Sequence, residues 1–133
     1  MFIDASAIVA IVACEPGHRP LLDRLRDGPV RLTSGVAIYE AARAIARLKS
    51  VPPGVAEAIV DDFLDATGVT RVPIAAAEAR HAIAAHARYG KGRHPARLNL
   101  GDCFAYACAR VHGVPLLYIG DDFPQTDIPS ALA

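Results

Sequence analysis

Leu98-Asn99-Leu100-Gly101-Asp102-Cys103-Phe104-Ala105-Tyr106-Ala107-Cys108-Ala109 is apolar or small at nearly every position after its one acid. A helix built from it is apolar almost all round, which places it inside the protein rather than on the surface. Its only charge, Asp102, stands where the helix begins. Downstream, His112-Gly113 ends the helix and Pro115 to Ile119 forms a short, strongly apolar strand. A fully apolar strand of that length belongs in a sheet covered on both faces.

The same alternation runs backward through the chain. Met1 to Ile3 reads as a short buried strand and Ala5 to Ala13 as a helix broken at Glu15-Pro16-Gly17. A helix over 17–27 ends at Asp27-Gly28-Pro29, and Val30 to Leu32 is a strand candidate. Thr33 or Ser34 caps a helix running to Lys49. Pro52-Pro53-Gly54 separates it from a helix over 54–67, stopped by Gly68. Val69 to Val72 is a strand, Ala75 to Arg88 an alanine-rich helix, and 89–99 a loop; the residues after Ile119 read as turn and tail. Strands alternating with helices predict an α/β fold, a mostly parallel sheet between helical layers, in a single domain over 1–133. A hydrophobic fraction of 53% supplies the core.

Fourteen basic and fourteen acidic residues cancel, so attraction to nucleic acid through bulk charge is not expected. The three cysteines, Cys14, Cys103 and Cys108, form no CxxC and read as reduced and buried, which suits a cytoplasmic protein. The apolar opening carries Asp4, lacks a positive flank and is too short to span a bilayer, so no membrane association is expected. The five histidines lack ligand spacing, and neither a P-loop nor a GxGxxG is present. Tyr106 and Tyr118 read as core.

Ligands of open α/β sheets bind beyond the carboxyl ends of the strands. Asp4 follows the first strand, Asp121 and Asp122 follow the last, and Asp102 opens the helix leading into that last strand. Each acid also has an ordinary structural role: Asp4 as a helix cap, with Ser6 sharing it; Asp102 as a first-turn acid after an Asn99 cap; Asp121-Asp122 as a turn. Glu40, flanked by Ala37 and Ala44, has Arg43 within reach of a surface ion pair. Taken together, the acids point elsewhere. Crowded carboxylates raise one another's pKa, and a divalent cation such as Mg²⁺ relieves that repulsion. The chemistry this suggests is metal-assisted phosphodiester hydrolysis.

The blocks "MFIDASAIVAIVACEP", "SGVAIYEAAR", "LNLGDCFAYACA" and "LLYIGDDFPQTDI" resemble, in order and from end to end, those of the PIN-domain ribonucleases, and more narrowly the VapC toxins of toxin–antitoxin pairs. The resemblance implies a PIN-like α/β/α sandwich and an endoribonuclease dependent on Mg²⁺ or Mn²⁺. It implies an acidic site of Asp4, Glu40 and Asp102, with the fourth acid at Asp121 by position or at Asp122. Asp4 and Asp102 would hold the metal, Ser6 would support Asp4, and Asn99 would be the polar neighbour of Asp102. A VapB-type antitoxin and a homodimer are the implied protein partners. For the RNA, Arg88, Lys91, Arg93, His94 and Arg97 surround a glycine-rich loop just before the Asp102 helix, as phosphate contacts or as a solvated basic loop. Two other functions fit some of these features. One is a phosphoryl-transfer enzyme with Asp4 as nucleophile; the other is a catalytically silent PIN-like binding module.

Overall fold

The computed structural model describes all 133 residues. The elements are β1 (Phe2–Ile3), α1 (Ala5–Val12), α2 (His18–Asp27), β2 (Leu32–Ser34), α3 (Gly35–Lys49), α4 (Pro53–Ala66), β3 (Thr70–Val72), α5 (Ala76–Tyr89), α6 (Leu100–His112) and β4 (Leu116–Leu117), then a 3₁₀ turn at Phe123–Gln125. The four strands pair in the order β3-β2-β1-β4, all parallel.

Side-chain alternation along the strands divides the core. Phe2 pairs with Leu116 and Ile3 with Leu117. Phe2 and Leu116 face one side, where they join Ala82, Ala85, Cys103, Tyr106 and Cys108 of α5 and α6. Ile3 and Leu117 face the other, among the buried residues of α1 to α4. All four strand residues are fully buried, each contributing about 1.5–3 kcal/mol by leaving water. The helices on the second face bury residues four apart, Leu21 and Leu25 on α2, and Ala56, Val60 and Leu64 on α4, so each turns one stripe to the sheet.

Several boundaries differ from the sequence-based expectation; the last strand is limited to Leu116–Leu117 of the expected 115–119. The second strand occupies Leu32–Ser34 rather than 30–32. Thr33 is buried and its hydroxyl donates to the Ile3 carbonyl (3.0 Å), which draws these polar residues into the sheet; Ser34 still caps α3. Helix α6 starts at Leu100, with Asn99 as its cap and Asp102 inside its first turn. The tail is more than a turn. The amide of Leu116 donates to Pro129 O and that of Ala131 to Leu116 O, so the tail lies along the outer edge of β4.

The chain builds the sheet outward from β1 through β2 to β3, then returns to place β4 on the other side of β1. That reversal opens a crevice at the carboxyl end of β1, between α1 and α3 on one face and α6 on the other.

Candidate active site

Asp4 leaves β1 at this crevice. Its Oδ2 accepts hydrogen bonds from the Ser6 amide (3.0 Å) and the Ser6 hydroxyl (2.6 Å). The Ser6 hydroxyl in turn accepts from the Ile119 amide just beyond β4 (3.2 Å). Ser6 therefore couples the ends of two neighbouring strands through the carboxylate of the first. Asp4 is only 5% exposed, and burial pushes its pKa above the ordinary range despite the Ser6 bonds.

Asp102 is held by a reciprocal cap. The Asn99 side chain accepts from the Asp102 amide (2.9 Å), and Asp102 Oδ2 accepts from the Asn99 amide (3.0 Å). Burial pushes the Asp102 carboxyl up to about 6; the Asn99 bond opposes this, and the charges of Asp4 and Asp122 add to it.

Glu40 comes from the second turn of α3 and lies against the start of α6. A Cβ at residue 101 would fall within the space of the Glu40 carboxylate, so only glycine allows this approach. Glu40 and Arg43 form no ion pair, which removes the ordinary structural role for Glu40: the charged side chains in ion pairs are Arg71, Arg88, Arg110, Asp61, Asp65 and Asp127. Arg43 instead sits over the Tyr39 ring. Burial, then the charges of Asp4 and Asp102, push Glu40 up to about 7, with Arg43 pulling the other way.

Three acids from distant parts of the chain thus share one crevice with no cation paired to any of them. The donors are all hard oxygens, and in both aspartates the hydrogen bonds to the scaffold fall on Oδ2. No group of three His, Cys, Asp or Glu side chains stands close enough together to hold a metal ion by itself. One or two carboxylates completed by waters and a substrate phosphate is the mode in which Mg²⁺ is usually bound, and this site fits that description.

Asp121 and Asp122 are both exposed in the loop after β4. Of the two, it is Asp122 whose charge reaches Asp102. Lys91, Arg93 and Arg97 are exposed and free of ion pairs. Arg88 pairs with Asp127 (3.4 Å), and His94 accepts the Ala96 amide. Cys103 and Cys108 are buried as expected, but Cys14 is exposed in the left-handed turn after α1 (φ 52°). No helix is long and apolar enough to cross a membrane.

Comparison with known proteins agrees along the whole chain. The sequence model of the PIN domain matches residues 1–129. A VapC ribonuclease of Rhizobium meliloti is 42% identical, the match covering 96% of this chain and 98% of that protein. A ribonuclease VapC of Mycolicibacterium smegmatis is 43% identical over 96% of this chain and 97% of its own length. Among solved structures, VapC20 of Mycobacterium tuberculosis, a toxin that cleaves the sarcin–ricin loop, superimposes with a TM-score of 0.73 at 18% identity, covering 96% of this chain and 95% of that one. At that identity the likeness is one of fold.

Proposed function

The chain belongs to the PIN domain family, among its VapC ribonucleases, and on that premise we propose that Asp4, Glu40 and Asp102 form a Mg²⁺- or Mn²⁺-assisted site that hydrolyses RNA. The activity is that of an endoribonuclease of the VapC toxin type. Family membership removes the phosphoryl-transfer alternative. The observation that carries the site assignment is the convergence of three acids, each with a raised pKa and none neutralised by a cation.

Asp4 and Asp102 are the residues suited to hold the metal, because hydrogen bonds from Ser6 and Asn99 fix both carboxylates in place. A divalent ion bound there would polarise a phosphate oxygen and lower the pKa of a coordinated water. Burial and the charges of Asp4 and Asp102 push Glu40 up to about 7, and a cation bound beside it would draw it back toward the ordinary carboxylate range, leaving it ionised to act as a base. Its place over Gly101 brings it beside the two aspartates, where it can take a proton from the attacking water. Asp122 adds negative charge at the mouth of the crevice and is the better candidate for the fourth acid. Lys91, Arg93 and Arg97 are free to meet RNA phosphates, whereas Arg88 is already engaged with Asp127.

Residues 1–129 match one PIN domain, which supports reading 1–133 as a single domain. The remaining proposals follow from the resemblance to VapC proteins: a VapB-type antitoxin as partner, a homodimer as assembly, and the cytoplasm as location.

The test is RNA cleavage by the purified chain, stripped with chelator and resupplied with Mg²⁺ or Mn²⁺, beside Asp4→Asn and Asp102→Asn. Cleavage should return with metal and be absent from both folded variants. Cleavage that ignores the metal, or survives in either variant, would overturn the site.

A further inference from the structure

A second cleft, of about 380 Å³, runs outward from the acids between α3 and the start of α6. Tyr39, Glu40 and Arg43 line one wall, and Asn99, Leu100 and Gly101 the other. Two of these residues are unusual for their exposure: Tyr39 is 63% exposed and Leu100 is 69% exposed. Of the four tyrosines, Tyr89 and Tyr106 are buried and Tyr118 packs on Phe123; Tyr39 alone presents its ring to solvent, one residue from Glu40. The Arg43 guanidinium carbon stands 5.7 Å from the centre of that ring and has no carboxylate partner. An exposed aromatic ring with a free guanidinium over one face can stack a nucleobase on its other face while the arginine neutralises a phosphate.

We propose that Tyr39 and Arg43 form a nucleotide subsite, in which a base flanking the cleaved phosphate stacks on Tyr39 opposite Leu100 and Arg43 contacts the adjoining phosphate. The subsite rests on the RNA-cleavage reading of the neighbouring acids and adds to it how the nucleotide beside the cleaved bond is held. A base can reach Tyr39 only when it is unstacked, so the nucleotide held at this subsite is an unpaired one. Stacking on one ring tolerates any base, so this subsite reads strandedness and not sequence.

The chain contains no tryptophan, so Tyr39→Trp installs a single reporter. Two probes are titrated under chelator: a short single-stranded oligoribonucleotide, and a chain of abasic ribose phosphates of equal length. The oligoribonucleotide should quench the emission and the abasic chain should not. In steady-state cleavage, Tyr39→Leu should raise KM roughly 10-fold or more with kcat little changed, while Tyr39→Phe stays within about twofold of the parent. Arg43→Gln should lower the salt dependence of binding by about one unit of slope. Absent quenching, equal quenching by both probes, or an unchanged KM in Tyr39→Leu would overturn the subsite. If the parent chain cleaves no RNA, the catalytic reading fails separately, and the emission titration still decides the subsite.

Discussion

Helix α6 meets carboxylates near both of its ends, and they are treated in opposite ways. At its start, Asp102 lies beside Asp4 and Glu40 without a cation, and its pKa is pushed up to about 6. Farther along, Asp127 accepts the Tyr106 hydroxyl (2.6 Å) and pairs with Arg110 (2.9 Å) and Arg88. Tyr106 first, and then Arg110, hold it down at about 2. One end anchors the tail and the other stays electrostatically unfinished. Natural proteins accept local destabilisation where function requires it, and the unpaired end is where a ligand with positive charge has something to gain.

Asp102→Asn pushes this contrast hardest. It should reduce cleavage by more than about 100-fold, beyond what losing a supporting hydrogen bond does. The same substitution should raise the stability of the metal-free protein at pH 8, because the cap geometry survives and the repulsion does not. A melting curve and a cleavage assay on one preparation decide both; a destabilised variant would mean the acids do not repel.

Gly101→Ala isolates geometry from charge. Alanine favours the helix by up to about 1 kcal/mol, but its methyl would displace the Glu40 carboxylate. Cleavage should fall roughly 10–100-fold while thermal stability holds or rises. Unchanged cleavage would remove Glu40 from the chemistry.

The two ends should also separate by pH. Glu40 and Asp102 lose their protons near pH 4 in the unfolded chain, but near 7 and 6 in the native one. The native state binds more protons across that interval, so metal-free stability should fall as pH rises from about 4 to 7 and remain lower above it. Saturating Mg²⁺ should flatten the slope. Asp127 works the other way: its contribution is complete above about pH 4 and disappears as pH falls through about 2. Asp127→Asn should lower Tm by a few degrees, about 1 kcal/mol for a partly exposed network, and erase only the acid limb. Chemical denaturation at several pH values, with and without Mg²⁺, tests all of this. The smallest effect is at the basic loop, where reversing Lys91 and Arg93 should weaken RNA binding and reduce its salt slope by about one unit per charge.

Much of this was legible in the sequence, because it rests on local chemistry. Strand-ending acids, a small-residue helix after Asp102 and glycine or proline stops report directly on backbone and burial. What escaped depends on partners distant in the chain. Ser34 caps α3 as the sequence suggests, but nothing local reveals the Ile3 carbonyl that draws Thr33 into the sheet. Ser130 read as tail because its pairing with Leu116 is tertiary. Arg43 stood one turn from Glu40, yet the Tyr39 face held it instead. Tyr39 itself gave a faint signal: an aromatic beside an acid, with an arginine four residues on, in "YEAAR".

The bond from the Ile119 amide to the Ser6 hydroxyl spans 113 positions of the chain, and it carries a consequence in time. During synthesis the first strand emerges long before the last, and β1 has no partner on its β4 side until residues 116 and 117 exist. Closing so long a loop is slow compared with forming any of the helices. Asp4 therefore waits through nearly the whole of translation before Ser6 gains its partner at Ile119 and Asp102 arrives. If these acids carry the cleavage, a fragment released before residue 102 should cleave no RNA in an assay that the full chain passes.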